Sequence, residues 1–181
     1  NNVSTTSLLM PFDTESLTTA KDYSGFNNNG AVSNAMWIDG VVGGAYEFDG
    51  TSIITIPDSS TLGGDGSWSE MSIELWIKVA TPLHGTRFVA KKVASASTGS
   101  YMIGFQTSMS DPDNALFWGI TPTGGSFRDT SAVLKPSLET GKWYHIVATY
   151  KSGPGLTIYL NGTIIVNMPL TGNIAVATPG G

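Results

Sequence analysis

Cysteine is absent from this chain of 181 residues, and histidine occurs only twice. The absence of cysteine excludes disulfides, thiolate chemistry and cysteine-based zinc sites. Two histidines alone support no Ser-His-Asp triad. Glycine (22 residues), serine, threonine and asparagine are abundant instead. This composition is typical of an extracellular β protein whose surface is covered by hydroxyl and amide groups.

Charge is also scarce, because charged residues make up 13% of the chain and the formal net charge is −5. The nine lysines and arginines are scattered, with Lys91-Lys92 as their one adjacent pair. No basic stripe could follow a phosphate backbone, so nucleic-acid binding is not predicted. No apolar run approaches the roughly 20 residues that a membrane-spanning helix needs. The chain begins at Asn1 without a signal peptide, so we expect a mature, processed or excised protein that is secreted or displayed on a cell surface.

Apolar residues alternate with polar ones along most of the chain, which indicates strands. The alternation is clearest in residues 71–79, where Ile73, Leu75 and Ile77 share one side while Glu74 and Trp76 share the other. The remaining predicted strands are Ser7–Phe12, Ala31–Trp37, Ala45–Phe48, Ser52–Ile56, Arg87–Lys92, Tyr101–Gln106, Ala115–Ile120, Phe127–Val133, Trp143–Tyr150, Leu156–Leu160 and Thr163–Met168. No linker divides the chain. We therefore predict an all-β fold, an antiparallel two-sheet sandwich of the jelly-roll type, as a single domain over residues 1–181.

Residues 141–167, GKWYHIVATYKSGPGLTIYLNGTIIVN, predict three consecutive strands. A loop at Ser152–Gly155 and a turn at Asn161-Gly162 separate them. Asn-Gly between alternating apolar residues is a strong hairpin signal, because both turn positions need a positive φ. Asp49-Gly50 predicts a second tight hairpin, between Tyr46–Phe48 and Ile53–Ile56.

Five segments together resemble the laminin-G-like, or concanavalin A-like lectin/glucanase, jelly-roll family. In order they are SLLMPFD (7–13), KDYSGFNNNGAV (21–32), GGAYEFDGTSIITIP (43–57), MSIELWIKVATP (71–82) and residues 141–167. Each alone is a weak signal, and the ordered set is specific. The resemblance implies a jelly roll that recognises sugars or surfaces and does not usually catalyse. The family normally ends with a further strand resembling G-x-I-D-E-[VI]-x-[IV]-Y, whereas this chain ends at Thr178–Gly181. We expect a second fragment or a protein partner to complete the sheet by strand addition.

A loop dense in oxygen atoms follows the first motif. It contains the candidate metal ligands Asp22, Ser24, Asn27, Asn29 and Gly30. Calcium takes six to eight oxygen ligands, and the corresponding loop of the family often binds it, assisted by an acidic residue of the terminal strand. The alternative is a turn stabilised by Asx and glycine residues without a metal. Calcium is therefore the one predicted cofactor.

The aromatic residues bear on sugar binding, because a sugar face stacks on an exposed aromatic ring beside polar groups. The predicted ligand-binding residues come from the middle of the chain: Trp118, Arg128, Asp129, Tyr101 and Asp113. Trp76 and Trp143 belong to the framework motifs and are predicted to pack in the core. His145 is predicted to be a buried, hydrogen-bonded histidine, and His84 a solvated loop residue without an acidic neighbour.

Catalysis is not predicted. Related glucanases carry two carboxylates in an E-x-D-x-E strand, whereas Glu70 and Glu74 here have no intervening aspartate. Their backbones would lie about 13 Å apart, too far for a retaining pair at about 5–5.5 Å. The predicted function is a non-catalytic carbohydrate-binding or adhesion module that binds a glycan or cell-surface ligand. The alternative is a structural or assembly domain of an extracellular filament, appendage or viral particle.

Overall fold

The computed structural model describes residues 6–14, 16–63, 66–92, 99–133 and 136–175. Within them the chain forms strands and two short 3₁₀ helices, Ser60–Leu62 and Thr130–Ala132. The strands are β1 (Thr19–Ala20), β2 (Gly30–Ser33), β3 (Met36–Asp39), β4 (Gly44–Glu47), β5 (Ile53–Thr55), β6 (Glu70–Lys78), β7 (Arg87–Lys92), β8 (Gly99–Phe105), β9 (Leu116–Ile120), β10 (Arg128–Asp129), β11 (Trp143–Lys151), β12 (Gly153–Leu160) and β13 (Thr163–Leu170). This part of the chain has no helix with the length and apolar character to cross a membrane. The predicted all-β class is confirmed.

The chain divides into two compact units, Asn1–Leu62 and Gly63–Gly181. The first unit contains a three-stranded sheet, β1-β2-β5, and the β3-β4 hairpin. Its small core includes Ala20, Ala35 and Tyr46. Trp37 extends this core, and its indole Nε1 donates a hydrogen bond to the Phe12 carbonyl at 2.8 Å.

The second unit is an antiparallel β-sandwich. One sheet has the order β10-β9-β8-β7 and the other the order β13-β12-β11-β6; we call them the β7 sheet and the β6 sheet. Their facing sides share one core, to which Ile103, Phe105 and Trp118 contribute from the β7 sheet and Ile146 and Ile158 from the β6 sheet. The predicted antiparallel two-sheet sandwich is confirmed.

The β6 sheet has one buried side and one solvent-facing side because β6 and β11 alternate strictly. Leu75 of β6 lies opposite Ile146 of β11; Ile146 is buried in the core and Leu75 packs against it. The next pair along the strands, Trp76 opposite His145, points to the other side. Side chains alternate along every strand, so each even-numbered position of β6 faces solvent.

The three consecutive strands predicted from residues 141–167 are β11, β12 and β13, and this prediction is confirmed. The turn between β12 and β13 has φ of 49° at Asn161 and 81° at Gly162, the positive values that the Asn-Gly pair predicted. The predicted loop at Ser152–Gly155 is shorter than expected, because β12 already begins at Gly153 and Lys151 pairs with Gly155.

Three of the predicted strands and one predicted hairpin are wrong in whole or in part. Residues 7–12 form no strand, and Phe12 has φ of 61°. The predicted strand Ala31–Trp37 divides into β2 and β3 at Asn34, where φ is 58°. Asp49-Gly50 closes no hairpin, since β4 pairs with β3 and β5 pairs with β2. The Asp49 carboxylate instead accepts hydrogen bonds from Thr51 and Ser52 in a local turn. The predicted strand Phe127–Val133 shortens to β10 and continues as a 3₁₀ helix.

The prediction of a single domain over residues 1–181 stays a prediction. So does the missing terminal strand, because Thr178–Gly181 lies outside the described residues.

Candidate functional site

The residues predicted to bind a metal do come together, and they surround Asp22. Asp22 is only 6% exposed, and the Oδ1 atom of Asn29 accepts a hydrogen bond from its backbone N–H. Asn29 also donates to the side chain of Asn27, whose φ is 61°. Gly30 begins β2, where a Cβ atom would lie 2.4 Å from Ile54 Cγ2. Gly30 therefore serves packing.

The Asp22 carboxylate accepts four hydrogen bonds. Oδ1 accepts from the backbone N–H groups of Leu9 (2.9 Å) and Ser24 (2.8 Å). Oδ2 accepts from the Ser24 hydroxyl (2.7 Å) and the Asn28 N–H (2.8 Å). Burial raises the pKa of this carboxyl, but the hydrogen bonds from Leu9, Ser24 and Asn28 outweigh burial and lower the pKa to about 2.

This arrangement does not fit a calcium ion at Asp22, because calcium needs oxygen lone pairs that face it. Each carboxylate oxygen already receives two donors, which stabilise the anion as a cation would. Asn28, which the sequence analysis did not select, also takes part in this hydrogen-bond network. Its Nδ2 donates to the Ser7 carbonyl (2.8 Å) and the Thr61 hydroxyl (2.9 Å). Calcium binding by this loop therefore stays a prediction from the family resemblance.

The two aromatic residues predicted to bind a ligand lie in the core of the second unit. Trp118 has no exposed surface, and its indole N–H donates to the Thr149 carbonyl at 2.9 Å, which links the two sheets. Tyr101 is 9% exposed and belongs to the same core. The prediction of a stacking surface at Trp118 and Tyr101 is therefore wrong, because neither ring offers a free face.

The three polar residues of the predicted ligand site are not brought together. Arg128 pairs with Ile120 at the end of β9, whereas Asp113 precedes the start of β9. The four residue steps of β9 alone span about 14 Å. Asp129 caps the 3₁₀ helix by accepting hydrogen bonds from the backbone N–H and the hydroxyl of Ser131.

Arg87, which the sequence analysis did not select, is a partly buried cation of the β7 sheet. Its guanidinium lies over the Phe117 ring at 4.7 Å and donates to the Phe105 carbonyl at 2.9 Å. Burial lowers the pKa of Arg87, and the charge of Asp129 partly offsets that effect. These contacts indicate a structural role for Arg87.

His84 has the acidic neighbour that the sequence analysis did not foresee. Its Nε2 lies 2.8 Å from Asp113 Oδ1, and the side chain is largely buried, so the prediction of a solvated loop residue is wrong. The Nδ1 atom is buried without a hydrogen-bond partner in the described part of the chain. A histidine that acts as a base between an aspartate and a nucleophile needs the nucleophile on this second nitrogen. Among the described residues, no nucleophile contacts Nδ1, so His84 and Asp113 do not form a catalytic triad there.

A different set of residues forms an exposed aromatic surface on the β6 sheet. Trp76 is 50% exposed, and its ring centre lies 5.0 Å from that of His145, at an angle of 32° between the planes. His145 Nε2 lies 2.8 Å from Glu74 Oε1. The backbone of His145 is held too, because its N–H donates to the Asn161 side chain at 3.0 Å and its carbonyl accepts from the Asn161 N–H at 2.8 Å.

The same surface extends along β6, the edge strand, and its neighbour β11. Trp143 lies opposite Lys78, and the Lys78 ammonium sits 5.1 Å from the centre of the Trp143 ring. We call the surface made by Glu74, Trp76 and Lys78 of β6 with Trp143 and His145 of β11 the Trp76 face. It presents two indole rings together with a carboxylate, an imidazole and an ammonium.

The exposure of the Trp76 face contradicts three predictions. Trp76 and Trp143 were predicted to pack in the core, and His145 was predicted to be buried. Trp76 is half exposed, Trp143 is partly exposed and the His145 side chain is 24% exposed. The hydrogen bond predicted for His145 is present. The alternation in residues 71–79 already placed Trp76 on the polar side with Glu74, and that signal outweighs membership in a framework motif.

The carboxylates of β6 are engaged separately. Glu70 lies 3.1 Å from Lys151, while Glu74 contacts His145. Each is thus paired with a residue of β11 at a different position along the strand.

The two facing antiparallel sheets with one shared core define a β-sandwich. Comparison with known protein families identifies the superfamily. A family model of the concanavalin A-like lectin/glucanase superfamily matches residues 48–180, and the chain belongs to this superfamily. The resemblance drawn from the five sequence motifs is thereby confirmed. A search of curated protein sequences found no match.

Several solved structures share the fold. Domain 4 of AbnA, an extracellular GH43 arabinanase from Geobacillus stearothermophilus solved in complex with arabinotriose, is 19% identical with a TM-score of 0.60, over 91% of this chain and 75% of that one. The binding domain of Paraclostridial Mosquitocidal Protein 1 is 18% identical with a TM-score of 0.61, over 93% and 44%. The binding domain of botulinum neurotoxin DC, in complex with SialylT, is 18% identical with a TM-score of 0.53, over 92% and 43%. This chain thus spans less than half of each of the last two chains, and identities this low establish the fold alone.

Proposed function

We propose that this chain is a non-catalytic carbohydrate-binding module and that it binds a glycan on the Trp76 face. The observation that carries the proposal is the half-exposed Trp76 ring on the solvent side of a four-stranded sheet. Burying a tryptophan gains free energy, so a large exposed aromatic ring that packs on a second ring indicates a surface kept for a ligand.

The chemistry of the face suits a sugar. The C–H side of a pyranose or furanose ring stacks on an aromatic plane, while the hydroxyl groups at its edge need donors and acceptors. Lys78 supplies a donor beside the ring of Trp76, and the Glu74 carboxylate acts through His145, whose imidazole it contacts. The His145 ring packs on Trp76 and is held by Glu74, while the Asn161 side chain accepts a hydrogen bond from the His145 backbone N–H. Preorganisation of this kind lowers the entropic cost of binding.

The similar solved domains support the same class of function. The AbnA domain was solved with arabinotriose, and the neurotoxin DC domain with SialylT. Both are binding domains or accessory domains of larger proteins. We place this chain in the same setting, as a glycan-binding or adhesion module of a larger secreted or surface protein.

The absence of catalysis is part of the proposal. It is supported by the separate pairing of Glu70 and Glu74, and by the buried second nitrogen of His84.

Binding to sugars by the wild type and by Trp76→Ala tests the proposal. The probes are arabinotriose, lactose and a sialylated trisaccharide, and the readouts are tryptophan fluorescence and calorimetry. A central tryptophan contributes about 2 kcal/mol or more, so the substitution should weaken binding at least about thirtyfold. Met109→Ala, which truncates an 81% exposed side chain outside the Trp76 face, is the matched control and should bind as the wild type does.

Thermal unfolding of each variant accompanies the titration. Trp76→Ala should lower the Tm by several degrees and still unfold cooperatively, because the buried half of the side chain contributes about 1–3 kcal/mol. Failure of the wild type to bind any of these sugars, or binding by Trp76→Ala that matches the wild type, contradicts the proposal.

A further inference from the structure

The charged groups on the solvent side of the β6 sheet are mostly paired. His145 lies 2.8 Å from Glu74, and Lys151 lies 3.1 Å from Glu70. Just before β11, Lys142 lies 2.7 Å from Glu139. Each of these contacts joins a basic group to a carboxylate.

Lys78 differs from the other cations of this region. In the described parts of the chain, no carboxylate lies within ion-pair distance of Lys78, and its ammonium instead sits 5.1 Å from the centre of the Trp143 ring. A cation over an aromatic face keeps its N–H donors available, because the ring supplies no acceptor oxygen. Among the described residues, the ammonium of Lys78 thus has no carboxylate partner and presents a point charge on the Trp76 face.

The spacing places this charge beside the stacking ring. Lys78 and Trp76 are two residues apart on one side of β6, so their Cα atoms are about 7 Å apart. A sugar stacked on Trp76 would hold its ring substituents within reach of the flexible lysine side chain. An anionic substituent there would form a charge-assisted hydrogen bond with the ammonium, which is stronger than a bond to a neutral hydroxyl.

We propose that the Trp76 face selects an anionic sugar, with the Lys78 ammonium as the group that recognises its charge. This inference rests on the proposed function and narrows its ligand class. The shared chemistry is a pyranose that carries a carboxylate or a sulfate ester. The net charge of −5 repels anions at long range, so the selectivity comes from this local contact.

The experiment compares matched pairs of glycans on one array. Each pair has a neutral parent and a derivative that is sialylated, oxidised to a uronic acid, or sulfated. The proteins are the wild type, Lys78→Met and Lys151→Met. Methionine keeps most of the apolar volume of lysine without its charge. Lys151→Met is the matched control because Lys151 lies on the same strand pair but already has Glu70 as its partner.

The expected result is that the wild type prefers at least one class of anionic derivative by about tenfold, equivalent to one charge-assisted contact. Lys78→Met should bind neutral and anionic members equally, while Lys151→Met keeps the preference. Raising the salt from about 0.05 to about 0.5 M should weaken the anionic signals and leave neutral ones unchanged. The series that the wild type prefers, carboxylated or sulfated, identifies which anionic group Lys78 recognises.

Two outcomes overturn the inference and are distinguishable. Binding that depends on Trp76 but favours neutral parents, or a preference that survives in Lys78→Met, contradicts the role of Lys78 and leaves the proposed function standing. Absence of binding to every member of the array contradicts both.

Discussion

The ring of Trp76 packs against the ring of His145 with 5.0 Å between their centres, on residues that lie directly opposite each other in β6 and β11. Glu74 and Asn161 hold the histidine from two sides. The tryptophan that faces solvent is therefore supported by a neighbour whose own position is fixed. This relationship gives the Trp76 face a defined geometry before any ligand arrives.

His145 is expected to position Trp76 through its ring more than through its charge. His145→Ala removes the ring contact and should weaken glycan binding about two- to tenfold, because such aromatic pairs contribute about 0.5–1.5 kcal/mol. His145→Phe keeps a ring at the same place and should bind within about twofold of the wild type. Calorimetric titration with the best-binding sugar of the panel measures both. Equal losses in the two variants would show that the imidazole itself contacts the ligand.

The Glu74→Gln substitution distinguishes two effects of Glu74: holding His145 in place for binding, and stabilising the fold. The Glu74–His145 pair is exposed on the carboxylate side, and such pairs contribute about 0–1 kcal/mol. We expect little change in urea unfolding and a small loss of binding that disappears when His145 is already alanine. A loss of equal size in both backgrounds would indicate that Glu74 binds the sugar directly.

Trp118 is expected to govern stability and not binding. Truncation of this fully buried ring leaves a cavity and removes the link to the Thr149 carbonyl, so Trp118→Ala should cost about 3–5 kcal/mol. Trp118→Phe keeps most of the volume and should cost about 1–3 kcal/mol. Where the variants fold, their affinity for sugar should equal that of the wild type. Selective loss of affinity in folded Trp118→Phe would restore the ligand-binding role predicted from the sequence.

The fold could be predicted from the sequence because its signals are local. Alternation located β6, β7, β9 and β11, and the positive φ values required at Asn161 and Gly162 determined the last hairpin. Asp49-Gly50 carries the same kind of signal yet joins strands of different sheets, because strand partners are chosen by long-range packing. The site was harder to predict for the same reason. The burial of Trp118 depends on the opposing sheet, and the hydrogen bond between His84 and Asp113 joins residues 29 positions apart.

Acid should destabilise the first unit through Asp22. Its pKa is about 2 in the folded chain against 3.8 for the unfolded group. A lowered folded-state pKa means that this contribution is present above pH 3.8 and is lost as the pH falls through about 2. The contribution amounts to at most about 2 kcal/mol and is reduced by solvent screening.

Asp22→Asn provides the measurement for this carboxylate. The variant should be less stable than the wild type at pH 7, because the neutral amide oxygen can accept only two of the four hydrogen bonds and the amide NH2 group faces the other two donors. The difference between the two proteins in urea unfolding should shrink towards pH 2. A difference that is independent of pH would show that the charge of Asp22 does not contribute.

Calcium should leave the stability unchanged, because the donors around Asp22 already satisfy its carboxylate. Thermal unfolding is compared in calcium and in EGTA. An ion at a hundredfold excess over its Kd would stabilise the folded state by about 2.7 kcal/mol, which a melting curve resolves. A calcium-dependent rise in Tm that is lost in Asp22→Asn would establish the metal site that the family resemblance implies.

Alanine substitutions at two glycines of the β11–β13 region distinguish the cost of backbone strain from the cost of a steric clash. Gly162 has φ of 81° with no atom near the position of a Cβ, whereas Gly155 has φ of 94° and a Cβ there would lie 1.9 Å from the Met168 carbonyl oxygen. Gly162→Ala should therefore cost only the strain of a left-handed residue, about 1–2 kcal/mol. Gly155→Ala adds a clash with the backbone of β13, which must move away and lose ladder hydrogen bonds, so its cost should be clearly larger. Urea unfolding of both variants measures the difference. Equal costs would mean that β13 yields to the new methyl group without losing its pairing to β12.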